Sequence, residues 1–167
     1  MENDKKINVK MVNKKYKDRN AIKNLIKYAV TDKMNGKCCR YIGGHGVFYM
    51  NAGKAVKQFD IIQEYYKKQY GRRAYHMIIS FEEKVNDLCE IDNLAKRIVF
   101  GVLKDYQSVY AIHEDTDNLH IHIVWNAVSF INGKKWHMTK TEFWEFRRKI
   151  EKIAKQTGEK FALQMKI

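Results

Sequence analysis

Residues 113–126 read HEDTDNLHIHIVWN and hold three of the six histidines of the 167-residue chain within ten positions. Side chains of a β-strand alternate between the two faces of a sheet. In LHIHIVWN (119–126), His120, His122, Val124 and Asn126 therefore share one face. Leu119, Ile121, Ile123 and Trp125 share the other, which has the character of a core. SVYAIH (108–113) reads as the preceding strand, joined to the first through a short acidic turn. If the pairing is even, with Asp115 opposite Asn118, His113 falls across from His120 on the same face. Three imidazoles then converge across two neighbouring central strands.

The rest of the chain supplies the other elements of such a sheet. KINVKMVN (6–13) alternates apolar and polar residues and predicts a first strand; AYHMIISF (74–81) predicts another. Asp18 can cap a helix with Ile22, Leu25, Ile26 and Ala29 on one face, ended by the NG at 35–36. Residues 37–55 are glycine-rich and read as a loop. Helical periodicity follows over 56–71, 90–106 and 139–158, the last with Thr139 or Thr141 as its cap and Gly158 as its stop. The order β-α-α-β-α-β-β-α predicts an α+β fold, a central antiparallel sheet with helices packed on it in a sandwich. Neither an internal repeat nor a low-complexity linker divides the sequence, so residues 1–167 are expected to form a single domain.

The formal net charge is +13, a large excess for this length, and a polyanion is the natural partner. Nucleic acid is the first candidate and an anionic membrane surface the second. No helix sets a basic face against a broad apolar one, and no apolar run reaches the length of a bilayer. The polar N-terminus lacks the apolar stretch of a signal peptide, so a cytoplasmic protein without membrane insertion is expected. Cys38, Cys39 and Cys89 are odd in number and lack zinc-knuckle spacing, so they read as reduced thiols. Arg72, Arg73, Lys134 and Lys135 are candidate DNA contacts, and Trp136 could stack a base. Trp144 has helix-core spacing with Phe143 and Ile150.

Three neutral imidazoles suit a divalent metal and leave coordination positions open. A structural zinc site would want a fourth protein ligand. An open site suits catalysis instead, because a Lewis acid can polarise an oxygen and stabilise developing charge. A metal-bound imidazole usually donates its second N–H to an acceptor. Asp115, Glu82 and Glu83 are candidates for that acceptor, and Asn126 or Ser80 could position a phosphate. His76 and His137 lie outside the cluster and are not expected as ligands.

The motif H-E-D-T-D-N-L-H-I-H-I-V-W-N resembles the third motif of plasmid mobilisation relaxases, the MobA type within the HUH endonuclease superfamily. HMIISF (76–81) resembles the second motif, which ends in Ser-Phe, and AIKNLIKYAV (21–30) the first, a helix that carries the nucleophilic tyrosine. NGKKWH (132–137) resembles the segment after the metal strands. The resemblance implies site- and strand-specific nicking and joining of single-stranded DNA at a transfer origin, initiating conjugative transfer. A tyrosine would attack one phosphodiester to give a 5′-phosphotyrosine and a free 3′-OH. It implies His113, His120 and His122 as ligands, with magnesium or manganese as the first expectation and zinc, nickel or cobalt also compatible. Expected partners are the origin strand with an adjacent hairpin, accessory transfer proteins and a coupling protein. Relaxases are often longer, so the chain is expected to be either the N-terminal part of a larger protein or a minimal enzyme. All ten tyrosines precede His120. That order matches relaxases, in which the nucleophile precedes the histidine pair, and not rolling-circle initiators, in which it follows. By motif the nucleophile is Tyr28, with Tyr16 and Tyr41 next. A rolling-circle replication initiator and a non-catalytic single-strand binder are the alternative functions.

Overall fold

The structure, a computed structural model, describes residues 5–31, 39, 41–85, 87–114, 118–157 and 161–163. Its elements are β1 (Lys5–Met11), α1 (Arg19–Val30), β2 (Tyr41–His45), α2 (Ala52–Tyr65), β3 (Ala74–Phe81), α3 (Leu88–Gly101), β4 (Ser108–His113), β5 (His120–Asn126), α4 (Lys140–Lys155) and β6 (Phe161–Leu163). The strands form one sheet in the order β2-β4-β5-β3-β1-β6. Pairing is antiparallel from β2 through to β1, and the short β6 lies parallel to β1 at the edge. This is the α+β class that the alternation of elements predicts.

Helices cover both faces of the sheet, so there are two cores. On one side, Met77, Ile79, Tyr110, Ile112, Ile121, Ile123 and Trp125 pack against Ile91, Leu94 and Ile98 of α3 and Phe146 and Ile150 of α4. On the other, Ala74, Val109, Ala111 and Val124 pack against Ile22, Leu25 and Ile26 of α1 and Val56 and Phe59 of α2. The sheet side chains here are small or β-branched, which lets α1 and α2 lie close. By strand parity the same face continues along β3, β4 and β5 into His76, Ile78, Ser80, His113, His120 and His122. The site therefore lies where the packing of α1 gives out.

Several boundaries differ from the reading of the sequence. Residues 37–55 are not one loop, because they contain β2 and the first turn of α2. YIGGH shows no alternation of apolar and polar residues, so a strand is not visible in it. Its glycines serve close packing: a Cβ on Gly43 would come within 2.5 Å of the Tyr110 ring, whose hydroxyl donates to Asp92 at 2.6 Å. α2 starts at Ala52 rather than Val56 because the Asn51 side chain accepts the Lys54 N–H. α1 ends at Val30, and the NG at 35–36 lies outside the described residues. Of the two proposed caps of α4, Thr139 is used, in a reciprocal capping box with Glu142. The strand β6 has no counterpart in the sequence reading. Cys39 and Cys89 form no disulfide among the described residues, and Cys38 lies outside them.

The turn after β5 offers a stability test. Gly133 has φ +70°, and a Cβ there would meet the Tyr66 ring at 2.2 Å. Gly133→Ala should lose about 2–4 kcal/mol, from left-handed strain plus overpacking. Thermal denaturation should show a fall in Tm of roughly 5–15 °C; an unchanged Tm would mean that Tyr66 moves away without loss.

Candidate active site

The β4–β5 register pairs His113 with His120 and Ala111 with His122. Ring centroids are 5.0 Å apart for His113 and His120, 4.3 Å for His113 and His122, and 4.9 Å for His120 and His122. One nitrogen from each ring can be chosen so that all three lie within 4.8 Å of one another. His113 and His122 are buried, while His120 is half-buried.

The second nitrogen of each ring has a defined neighbour. His113 Nε2 lies 2.7 Å from the carbonyl oxygen of Ala29. A carbonyl only accepts, so Nε2 carries a proton, and in the neutral tautomer Nδ1 keeps its lone pair. Ala29 stands in the last turn of α1, where carbonyls have no partner within the helix. One hydrogen bond thus orients the His113 ring and satisfies a carbonyl at the helix end. His120 Nδ1 lies 3.2 Å from the carbonyl oxygen of Asn118, which orients that ring in the same way. His122 Nδ1 lies 2.8 Å from Nε2 of His76, a buried residue of β3. Among the described residues, Nδ1 of His113, Nε2 of His122 and Nδ1 of His76 are buried side-chain nitrogens with no hydrogen-bond partner. Three imidazoles on one face, each oriented through its other nitrogen, fit a divalent metal.

α1 brings Tyr28 to the same place. Asp18 caps this helix by accepting the Ala21 N–H at 2.8 Å. Leu25, Ile26 and Ala29 bury its inner face, which leaves Tyr28 at the edge of the stripe and 44% exposed. Its ring stands edge-on to His122 with centroids 5.4 Å apart, and 6.2 Å from His113. A cleft of about 1000 Å³ opens beside it, lined by Lys10, Asn13, Lys14, Tyr16, Asn24, Tyr28 and His76. Burial pushes His76 down to about 4, with a smaller contribution from His113, so its ring is neutral at ordinary pH. Burial raises the Tyr16 phenol, Arg72 opposes that, and Tyr28 adds to it.

The remaining residues singled out from the sequence separate into groups. Ser80 lies on the site face, paired with His120 across β3 and β5. Glu82 is exposed just past β3, its N–H bonded to the Lys6 carbonyl. Glu83 is exposed next to it, and Asp115 lies outside the described residues. Asn126 is fully buried at the far end of β5. Its Oδ1 accepts from Gln63 and the Val128 N–H, and its Nδ2 donates to Gln107 and the Phe59 carbonyl. It ties α2 to the sheet and does not face the histidine cluster. Arg73, expected at the surface, is 9% exposed; it donates to Gln63 and pairs with Asp60. Trp136 packs among Tyr75, Tyr106, Trp125 and Phe146, on the opposite side of the sheet from the histidines. Arg72 lies over the Tyr75 ring, Lys135 lies over the Tyr70 ring, and Lys134 is exposed, so these three remain a basic surface. Burial lowers Lys135, with Lys68 and Arg73 adding to the effect.

His76, not expected as a ligand, lies against His122 and in the wall of the cleft, a placement the sequence analysis did not give it. Strand parity carried the signal, since His76, Ile78 and Ser80 alternate onto one face, and Ile78 pairs with His122.

The site thus sets a tyrosine of α1 against three histidines of adjacent antiparallel strands, on a helix-covered sheet. The chain belongs to the MobA/VirD2-like relaxases: the model of their nuclease domain matches residues 28–159. Protein rlx of Staphylococcus aureus is 26% identical over 99 residues, which is 59% of this chain and 30% of that protein. Protein TraI of Escherichia coli is 37% identical over 60 residues, 35% of this chain and 8% of TraI. The chain thus matches less than a third of the length of either relative. A solved structure described as the molecular basis of vancomycin resistance transfer in Staphylococcus aureus has the same fold. It superposes with a TM-score of 0.60 at 14% identity, covering 98% of this chain and 100% of that one. The family implies a divalent metal and single-stranded DNA, and the His113, His120 and His122 cluster could hold the metal. Among the described residues no helix is long and apolar enough to cross a membrane.

Proposed function

We propose that residues 1–167 act as one nuclease domain that cuts and rejoins a single DNA strand at the transfer origin of a bacterial plasmid or other mobile element, with Tyr28 as the nucleophile. The position of the Tyr28 ring, edge-on to His122 and at the mouth of the cleft, carries this reading. The Tyr28 oxygen attacks the scissile phosphorus and the bond to the 3′ oxygen breaks. A 5′-phosphotyrosine and a 3′-OH result, with the phenolic proton passing to the leaving oxygen. One phosphodiester replaces another, so the step is close to isoenergetic and can run backward to rejoin the strand. His113, His120 and His122 would hold a divalent ion, which would supply Lewis acidity when bound; magnesium or manganese is our first choice, and zinc, nickel or cobalt also suit imidazole. Lys10 and Lys14 offer positive charge to the strand along the cleft, and Asn13 and Asn24 offer hydrogen bonds. The other two candidate nucleophiles are placed poorly for this role: Tyr16 is buried, and Tyr41, paired with Ile112, sits on the opposite face of the sheet from the histidines.

In the cell this reaction would start conjugative transfer in the cytoplasm, together with accessory transfer proteins and a coupling protein. The direct test is incubation with candidate origin oligonucleotides, with and without an adjacent hairpin, followed by a denaturing gel. A covalent protein–DNA band is the expected result. Its absence with the natural origin strand and metal would leave a non-catalytic binder.

Binding itself should depend steeply on salt. The net charge of +13 motivates this. Each phosphate neutralised on a single strand contributes a slope of about −0.7 in log K against log salt. Five such contacts would make a fourfold rise in salt weaken binding by about 100-fold. Fluorescence anisotropy with a labelled strand measures it. A nearly flat response would rule out an interface dominated by the DNA backbone.

A further inference from the structure

We infer that His76 is a positioning residue that selects the ligand tautomer of His122, an inference that rests on the metal reading of the three-histidine site. His113 and His120 are oriented by backbone carbonyls, of Ala29 and Asn118, which can only accept a proton. His122 differs, because its partner is another imidazole at 2.8 Å. The proton between the two rings has two possible homes, and they have opposite consequences. If His76 Nε2 carries it, His122 Nδ1 accepts, and the neutral His122 ring must hold its own proton on Nε2. That ring cannot ligate through Nε2. If His122 Nδ1 carries it, Nε2 of His122 keeps its lone pair for the metal, and the proton of His76 sits on Nδ1. Loading the site with metal therefore requires the second arrangement, in which His76 is purely an acceptor at Nε2.

The surroundings favour a fixed pair. His76 is 4% exposed and His122 1%, so water does not compete for the bond. The rings lie 20° from parallel with centroids 5.1 Å apart. β3–β5 pairing sets Ile78 opposite His122, which holds His76 one residue pair farther along the same face. Since His76 also lines the cleft beside Tyr28, the residue that orients a ligand forms part of the wall along which the strand would lie.

The experiment compares the parent with His76→Leu, which removes the acceptor, and His76→Gln, whose side-chain oxygen can replace Nε2. Zinc, as a diamagnetic probe, is titrated by calorimetry, and long-range ¹H–¹⁵N spectra of the zinc-loaded parent report the tautomers. Thermal unfolding of the metal-free proteins monitors packing. Zinc affinity should fall about 10–100-fold in His76→Leu and recover most of that loss in His76→Gln. Both His76 and His122 should carry their protons on Nδ1. Unchanged affinity in His76→Leu would overturn the inference, and so would equal weakening in Leu and Gln, which would indicate packing alone. If His76→Leu fails to fold, the spectra of the parent decide: a proton on His76 Nε2 overturns the inference. A parent that takes up no zinc overturns the metal reading and this inference with it. A parent that loses zinc in His120→Ala but not in His76→Leu leaves the metal reading intact and defeats only the role of His76.

Discussion

Tyr28→Phe forms no covalent adduct with an origin strand, yet binds that strand about as well as the parent: this is the largest effect expected of any single substitution. The change removes one oxygen and keeps the ring. Tyr28 is 44% exposed at the edge of α1, so the helix should fold unaltered. The ring contacts to His113 and His122 do not require the hydroxyl. Removing a nucleophile that acts only in the bond-making step lowers turnover without lowering affinity. A loss of about 10⁴-fold or more in nicking is expected, with affinity within about threefold. In the parent, protein should migrate with the fragment 3′ of the nick, because the tyrosine holds the 5′-phosphate. Peptide mapping of that fragment decides the assignment. A nucleotide found on Tyr16 or Tyr41 would move the nucleophile and leave the enzyme class standing.

How much of this arrangement is legible in the sequence depends on the range of the interaction. The histidine face follows from period-two alternation, and the register of His113 with His120 follows from an even turn. Both are local properties of fourteen residues. The helix carrying Tyr28 is likewise local, set by Asp18 and an apolar stripe. What escapes is anything set by contacts between distant segments. Asn126 sits in a strand beside the histidines, but its surroundings are made by Gln63 of α2 and by Gln107, and no pattern within 113–126 announces them. Arg73 looks like a surface cation until Asp60 and Gln63 close around it. Trp136 follows two lysines and reads as a base-stacking ring, whereas four other aromatic rings enclose it on the opposite face of the sheet. β2 hides because its two glycines serve the Tyr110 ring and the backbone of β4 instead of a hydrophobic face. The carbonyl of Ala29, which orients His113, belongs to the main chain and leaves no trace in residue identity.

His120→Ala and His122→Ala should both cut nicking by orders of magnitude, and they should differ in stability. Each removes one of the three imidazoles that could hold the metal. Electrostatic stabilisation of the scissile phosphate is worth several kcal/mol, so a loss of about 10²–10⁴-fold is expected from either. The parent should lose as much in a strong chelator and regain it when a divalent ion is returned. Their places in the fold separate them. His120 is half-buried, and its partner, the Asn118 carbonyl, belongs to an exposed residue. Truncation there should change stability by less than about 1 kcal/mol. His122 is 1% exposed and bonded to His76. Its truncation opens a cavity and strands a buried nitrogen of His76, for a loss of about 2–4 kcal/mol. Nicking assays paired with thermal denaturation separate the two effects. Equal Tm values for the two variants would show that the His76–His122 bond contributes little to the fold. Full nicking in the presence of the chelator would sink the metal mechanism whatever the stabilities, because the same three rings would then have to act through hydrogen bonding alone.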